Sequence, residues 1–348
     1  MIIKIIFLAA IAVMVFFVFS CVNNKTQAIG FTELTFTDIT RVYEGKPRNV
    51  DLVIWYPIES TKQQAKIVHG IWQIIDAEKN APLFRHDKKL PLVLFSHGYS
   101  GEPYGYSWFA EYLASRGYIV ASVKHSGNTY GNMILEISAR PWNRSQDLRF
   151  ALDQLLTNSP FKDAIDESRI GAAGFSQGGV TSLWLAGIQA NLTKESLHKH
   201  TETINDDLAW KEVHQHFTQE DIQAANLSYK DDRIKAVFAM APALDYDNWF
   251  FTNKEKIAQV KIPVEIVTGA FDTDVSIKEN AEFFAANIPN SILIILPGKV
   301  THWPFLNEST PEGKKINPTI TIDDPSINRG EIHKQVGAMA VSFFNKHI

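Results

Sequence analysis

From residue 48 to residue 296 the chain alternates short apolar blocks with longer segments whose apolar positions recur at helical spacing. Residues 48–57 read as a strand, with Val50, Leu52 and Ile54 set against Asn49, Asp51 and Val53 before Trp55-Tyr56-Pro57 closes it. Leu92-Val93-Leu94-Phe95 is apolar without a break, as in a strand buried on both faces. A helix is predicted over about 106–116, a strand over 118–123, and a helix over about 144–156 whose Leu148, Ala151, Leu152, Leu155 and Leu156 share one face. The series continues with a strand at 170–174, a helix from Gly178, strands at 234–240 and 264–268, a helix over 279–287, a strand at 292–296 and a last helix ending near His347. Such alternation predicts an α/β fold, a mostly parallel, doubly wound sheet covered by helices on both faces. A polar stretch over about 191–233 interrupts it. A connection of that length inside one domain predicts a helical cap.

The first twenty residues follow a different pattern. Lys4 precedes an apolar run over 5–19 that is short for a spanning helix and suited to the core of a signal peptide. Val18-Phe19-Ser20-Cys21 resembles the lipobox of bacterial lipoproteins, with a bulky Phe19 inside it. Cys21 is the only cysteine, which excludes a disulfide framework and leaves a lipid-accepting thiol as its natural use. The expected organisation is a signal peptide over 1–21, a tether over 22–32 and one folded domain over 33–348, with 191–233 as its cap. An uncleaved N-terminal helix is the alternative anchor. Either arrangement gives an exported protein attached to a membrane, in the periplasm or at the outer membrane of a bacterium.

Composition narrows the partners. With 348 residues, 45% hydrophobic and 21% charged, the chain can bury one large core. A formal net charge of −4 supplies no basic field for a nucleic acid. His198 and His200, with His214 and His216, lie in the polar stretch and raise the alternative of a metal site. Histidines two apart face different sides of a helix, and Glu195, Glu202 and Glu212 beside them favour a solvated charged face, so no metal is expected.

The strongest chemical signal is Gly174-Phe175-Ser176-Gln177-Gly178, a G-x-S-x-G string between a short apolar strand and a helix that opens with Gly178-Gly179. That is the setting of a nucleophile elbow, in which a strained turn lifts a serine hydroxyl to the C-terminal edge of the sheet. A serine needs a base, and the base needs a carboxylate to orient it. Both follow in the chain order this α/β-hydrolase fold uses. Asp272 ends a Gly269-Ala270-Phe271-Asp272 turn directly after a strand, and His302 follows the next strand, thirty residues on. Asp274 is the close rival for the acid; Asp245 and Asp247 are more distant ones. Two amides should receive the oxyanion. One is that of Gln177. The other is that of Tyr99, in the loop Ser96-His97-Gly98-Tyr99-Ser100-Gly101, where the His97 ring reads as a brace.

These residues carry a family resemblance. Trp55-Tyr56-Pro57, Phe95-Ser96-His97-Gly98, Lys124-His125-Ser126-Gly127-Asn128, the Ser176 elbow with Gly179, and Gly269 to Asp272 with His302 resemble the α/β-hydrolases related to platelet-activating factor acetylhydrolase of the plasma and type II kind. That group also contains dienelactone-hydrolase-like proteins. The resemblance implies a serine esterase that needs neither metal nor cofactor and cleaves short or medium acyl esters of lipid-like or other small molecules through an acyl-enzyme on Ser176. Phe175 and Gln177 depart from the usual elbow of the family. Dienelactone hydrolases use a cysteine nucleophile, and Cys21 lies in the signal region, so that activity is not expected. A thioesterase or peptidase using the same triad, or a binding protein on the same fold, remains open. Leu192, Leu197, Leu208, Trp210, Phe217 and Leu227 give the cap an apolar side for an acyl pocket, joined by Trp303.

Overall fold

The computed structural model describes residues 27–348 apart from 61–66, 75–76, 85–87, 205–206 and 246–248. The apolar run, Cys21 and Asp247 lie outside the described residues. Nine strands form the main sheet: β1 (Ala28–Tyr43), β2 (Lys46–Ile58), β3 (Ala77–Lys79), β4 (Leu90–Ser96), β5 (Ile119–Lys124), β6 (Ile165–Phe175), β7 (Ile234–Met240), β8 (Val264–Gly269) and β9 (Ser291–Leu296). Their spatial order is β9-β8-β7-β6-β4-β5-β2-β1-β3. Within this sheet, among the described residues, only the β1–β2 and β2–β5 pairs are antiparallel.

Alternation along each strand explains the two helical layers. Leu92 and Leu94 of β4 join Leu52, Ile54 and Ala121 in a core covered by α2 (Trp142–Thr157) and α3 (Gln177–Ala186). Val93 and Phe95 point the other way, into a core with Phe109 of α1 (Ser107–Ala114) and Phe343 and Phe344 of the C-terminal helix Arg329–His347. All seven residues of β4 are buried, as its unbroken apolar block requires.

The topology also places the site. After β4 the chain crosses to β5 on one side and then returns to β6 on the other. Loops leaving the C-terminal ends of β4 and β6 therefore meet where the winding reverses, the crevice in which open α/β sheets bind ligands. The register sets Gly174 beside Ser96.

Two differences from the sequence reading stand out. The stretch read as a tether to residue 32 is already strand from Ala28 onward, and β1 runs sixteen residues before the first predicted strand. Its Leu34 and Phe36 alternate with threonines, a weak period-2 signal with few large apolar residues. The cap consists of three helices, α4 (Lys194–Thr203), α5 (Leu208–Gln215) and α6 (Gln219–Ala225). Leu197 and Ile222 are buried beneath it, whereas Leu208 and Leu227 face solvent.

Burial of neutral histidine ties the fold to pH. His333 stacks on Trp108 with ring centres 4.2 Å apart, and its Nε2 lies 3.0 Å and 2.9 Å from the carbonyls of Pro304 and Leu306. Burial, reinforced by Arg329, pushes its pKa down to about 3. The unfolded chain then binds a proton below about pH 6.5 that the folded chain refuses, so stability falls as pH drops. One such group contributes a slope of about 1.4 kcal/mol per pH unit. Denaturant unfolding between pH 7 and pH 5 should show a shallower slope, by one proton's worth, in His333→Gln than in wild type. An unchanged slope would remove His333 from the account.

Candidate active site

Ser176 sits between β6 and α3 with φ 52° and ψ −121°, a left-handed backbone that a serine adopts only under constraint. The constraint is visible on both sides. Its amide donates to the Met240 carbonyl at 2.9 Å, and its own carbonyl accepts from Ala243 at 3.2 Å, tying the turn to the end of β7. A Cβ on Gly174 would collide with the backbone of Gly178, and one on Gly178 with the carbonyl of Ser96. Both glycines are therefore steric requirements of the turn.

The loops after β8 and β9 bring an acid and a base together. The amide of Ala270 donates to Leu296 and that of Phe271 to Val300, each at 2.9 Å, stitching the turn at Asp272 to the loop that carries His302. His302 Nδ1 lies 2.7 Å from Asp272 Oδ2, with both residues buried. An ionised carboxylate only accepts, so Nδ1 carries the proton and Nε2 is left as the basic nitrogen. The other oxygen, Oδ1, accepts from the amides of Asp274 (3.1 Å) and Val275 (3.2 Å). Asp274 itself is exposed. Asp245 lies elsewhere, in the cap region, with its carboxylate 3.7 Å from His200. The imidazole of His302 packs 4.5 Å from the ring of Phe175, the residue before Ser176.

On the other side of the elbow, the loop after β4 is held by its neighbours. Gly98 donates its amide to Tyr106 Oη at 3.2 Å, and Ser100 to Asn128 Oδ1 at 3.1 Å. The Tyr99 peptide between them is thereby fixed, while its side chain is 44% exposed and faces Trp210. His97 is fully buried, and its Nε2 accepts the amide of His125 at 3.3 Å. Burial, with Arg144 next to it, holds its pKa far below the usual histidine range.

Sequence reasoning missed what lies under this loop. Arg144, read only as the start of a helix, is a fully buried guanidinium that donates to the His97 carbonyl, to Gln177 Oε1 and, at 3.2 Å, to Ser96 Oγ. Ser96 Oγ lies 2.9 Å from His125 Nε2, and His125 Nδ1 lies 3.0 Å from Asp147 Oδ2. This second serine–histidine–aspartate chain is wholly buried and offers no path to a substrate. Burial presses the His125 pKa down to about 3. Asp147 also binds Arg48 through both oxygens, at 2.6 Å and 2.7 Å; against the cost of burial, the Arg48 guanidinium and the hydrogen bond from His125 hold its carboxyl well below its usual range. The apolar reading of α2 concealed these residues because Arg144 and Asp147 share its buried side with Leu148 and Ala151.

A cavity of about 310 Å³ opens from the loop after β4 toward the cap. Tyr99 and Gln177 line its floor, and Ile204, Trp210 and His214 of the cap meet Trp249 and Phe250 around it. His200 stacks on Trp249 at 3.8 Å, and its ring stands 5.3 Å from His214. His198 and His216 point outward. Among the described residues no group of three His, Cys, Asp or Glu is arranged to hold a metal ion. Phe217, expected at the pocket, instead packs edge-on against Trp142. Trp303 stands edge-on to His302, 5.3 Å away. Among the described residues no helix is long and apolar enough to cross a membrane.

Comparison with known proteins bears on the family and the fold. The family described as prolyl oligopeptidase matches residues 104–290, more than half of the chain, and the family of platelet-activating factor acetylhydrolase, isoform II, matches residues 59–132. A cutinase of Thermobifida alba is 31% identical over 110 residues, 31% of this chain and 34% of the cutinase. A cutinase of Thermobifida fusca is 30% identical over a segment of the same length, 32% of that protein. The chain thus spans about a third of the length of the curated relatives it matches. A ferulic acid esterase from Streptomyces cinnamoneus has the same fold, with a TM-score of 0.60 at 20% identity over 92% of this chain and 90% of that one.

If Asp272 orients the base, Asp272→Asn should lower kcat by several orders of magnitude on an ester substrate, since loss of the analogous carboxylate elsewhere costs about ten-thousand-fold. Asp274→Asn should cost less than about tenfold. The reverse ranking in steady-state kinetics would move the role to Asp274.

Proposed function

Because the chain belongs to the prolyl oligopeptidase family, an α/β-hydrolase group, we propose that it is a serine hydrolase of carboxylic esters, with Ser176 as nucleophile, His302 as base and Asp272 as the orienting acid. The reading rests above all on the buried 2.7 Å contact between His302 and Asp272, set against a serine held at positive φ. In it, Ser176 Oγ attacks the ester carbonyl and passes its proton to His302 Nε2. The amides of Tyr99 and Gln177 receive the oxyanion. Collapse expels the alcohol, which takes the proton from His302, and a water activated by the same nitrogen releases the acid and regenerates Ser176.

The substrate we infer is a small or medium acyl ester. A cavity of about 310 Å³ walled by Trp210, Trp249 and Phe250 suits a compact apolar group. An extended polypeptide would need a longer cleft with partners for its backbone amides. The cutinase likenesses point to esters as well. We further propose that Cys21 carries lipid after export and that residues 22–27 form the tether. The chain enters β1 at Ala28, opposite Ile58 of β2 and beside the C-terminal end of α1, where Gln27 donates its amide to the Ser115 carbonyl at 2.9 Å.

A panel of p-nitrophenyl esters of increasing chain length, run beside peptide amides and a thioester, should show ester turnover that Ser176→Ala abolishes. Preference for peptide amides would overturn the assignment. Trp210→Ala should shift the ratio of kcat/KM between medium and short chains by about tenfold, because each methylene contact in an apolar pocket is worth about 1 to 3 kcal/mol. Phe217→Ala should leave that ratio unchanged. For the tether, Cys21→Ser should lose lipid mass and leave the membrane fraction; retention of the processed, membrane-bound form would exclude it.

A further inference from the structure

We propose that the side chain of Gln177 is a positioning device: pinned from two directions, it locks the two oxyanion donors, the amides of Tyr99 and Gln177, into one register. The proposal rests on the oxyanion assignment made above. In the elbow the residue after the serine acts through its backbone, so its side chain is free of any duty there. Here it is not free. Gln177 is 5% exposed, and its Oε1 accepts both from Arg144 Nη1 and from Asn128 Nδ2, the latter at 2.9 Å.

Each of those two partners also holds the opposite loop. Arg144 Nη2 donates to the carbonyl of His97, and Asn128 Oδ1 accepts the amide of Ser100 at 3.1 Å. Tyr99 lies between the two points of attachment. One amide oxygen therefore links the start of α3 to both ends of the peptide pair that presents the Tyr99 amide. The two routes differ in strength. Arg144 is a fully buried cation, and its bonds to neutral oxygens are charge-assisted. The Asn128 route is neutral and reaches the site from the turn after β5.

The arrangement has a clear chemical purpose. An oxyanion hole stabilises only if both donors already point at the place where the charge will develop, and a small misplacement of one donor forfeits much of its effect. In this chain the two donors sit on different strands' loops, β4 and β6, so their spacing is not fixed by any single element. A methionine at position 177 would have the right length for the site but only a weakly accepting thioether sulfur in place of the amide oxygen. It would leave Arg144 Nη1 and Asn128 Nδ2 without their shared partner and release the loop on that side. Because the oxyanion develops only in the transition state, the loss should fall on kcat.

The experiment compares wild type, Gln177→Met, Gln177→Glu and Asn128→Ala on one p-nitrophenyl ester, with an alkyl boronic acid as a probe of the tetrahedral state. Gln177→Met should lose about 10- to 100-fold in kcat with KM within about twofold, and boronate affinity should fall by a similar factor. Gln177→Glu, which keeps an oxygen at the same place, should recover most of the loss. Asn128→Ala cuts one route only, should fold even where the methionine variant does not, and should show a smaller loss of the same kind. Wild-type kcat in Gln177→Met, a rise in KM alone, or a glutamate variant as slow as the methionine one would each overturn the proposal. If wild type itself binds no boronate and Ser176→Ala is as active as wild type, the serine-hydrolase reading fails instead.

Discussion

Everything in this molecule that bears on chemistry is arranged around one crowded turn. Ser176 occupies a left-handed backbone conformation where β4 and β6 end so close together that no Cβ fits at Gly174 or Gly178. Such a conformation costs on the order of 1 to 3 kcal/mol and persists only where the surroundings over-determine it. Two backbone hydrogen bonds to the end of β7 and the buried C-terminal halves of β4 and β6 do so here. The turn lifts the serine out of the sheet edge, and the loops after β4, β8 and β9 then need only reach that edge.

Holding those loops still takes buried polar chemistry that the apolar cores cannot supply. A chain of polar contacts runs inward from Arg41 and Arg48 through Asp147 and His125 to Ser96 and Arg144, and ends on the loop carrying Tyr99 and on Gln177. Each buried ion has partners, which is the condition for tolerating it at all. Removing one member of such a chain would leave the others uncompensated, so these residues couple the outer strands β1 and β2 to the sheet edge that bears Ser176.

The element order was legible in the sequence because a doubly wound sheet writes itself as unbroken apolar blocks separated by helical periodicity, and Leu92 to Phe95 is the plainest case. The elbow was legible because its glycines are steric necessities. Chain order pointed to Asp272 and His302 but left Asp274 as a rival acid; the 2.7 Å contact between His302 and Asp272 is what the structure adds. Strand β1 was not legible, because Leu34 and Phe36 are diluted by threonine and the strand is half exposed. Arg144 and Asp147 were hidden for a different reason: a helix predicted from its apolar face gives no sign that charged residues share that face. The cavity's far wall was equally invisible. Trp249 comes to His200 through tertiary packing between segments nearly fifty residues apart, and no periodicity encodes it.

The central claim is that this turn makes Ser176 the nucleophile, and a fluorophosphonate tests it most directly. Peptide mapping by mass spectrometry after reaction should place a single phosphonyl adduct on Ser176, formed at a rate that falls steeply in His302→Ala. An adduct on another residue, or labelling of Ser176 that proceeds equally fast without His302, would contradict the account.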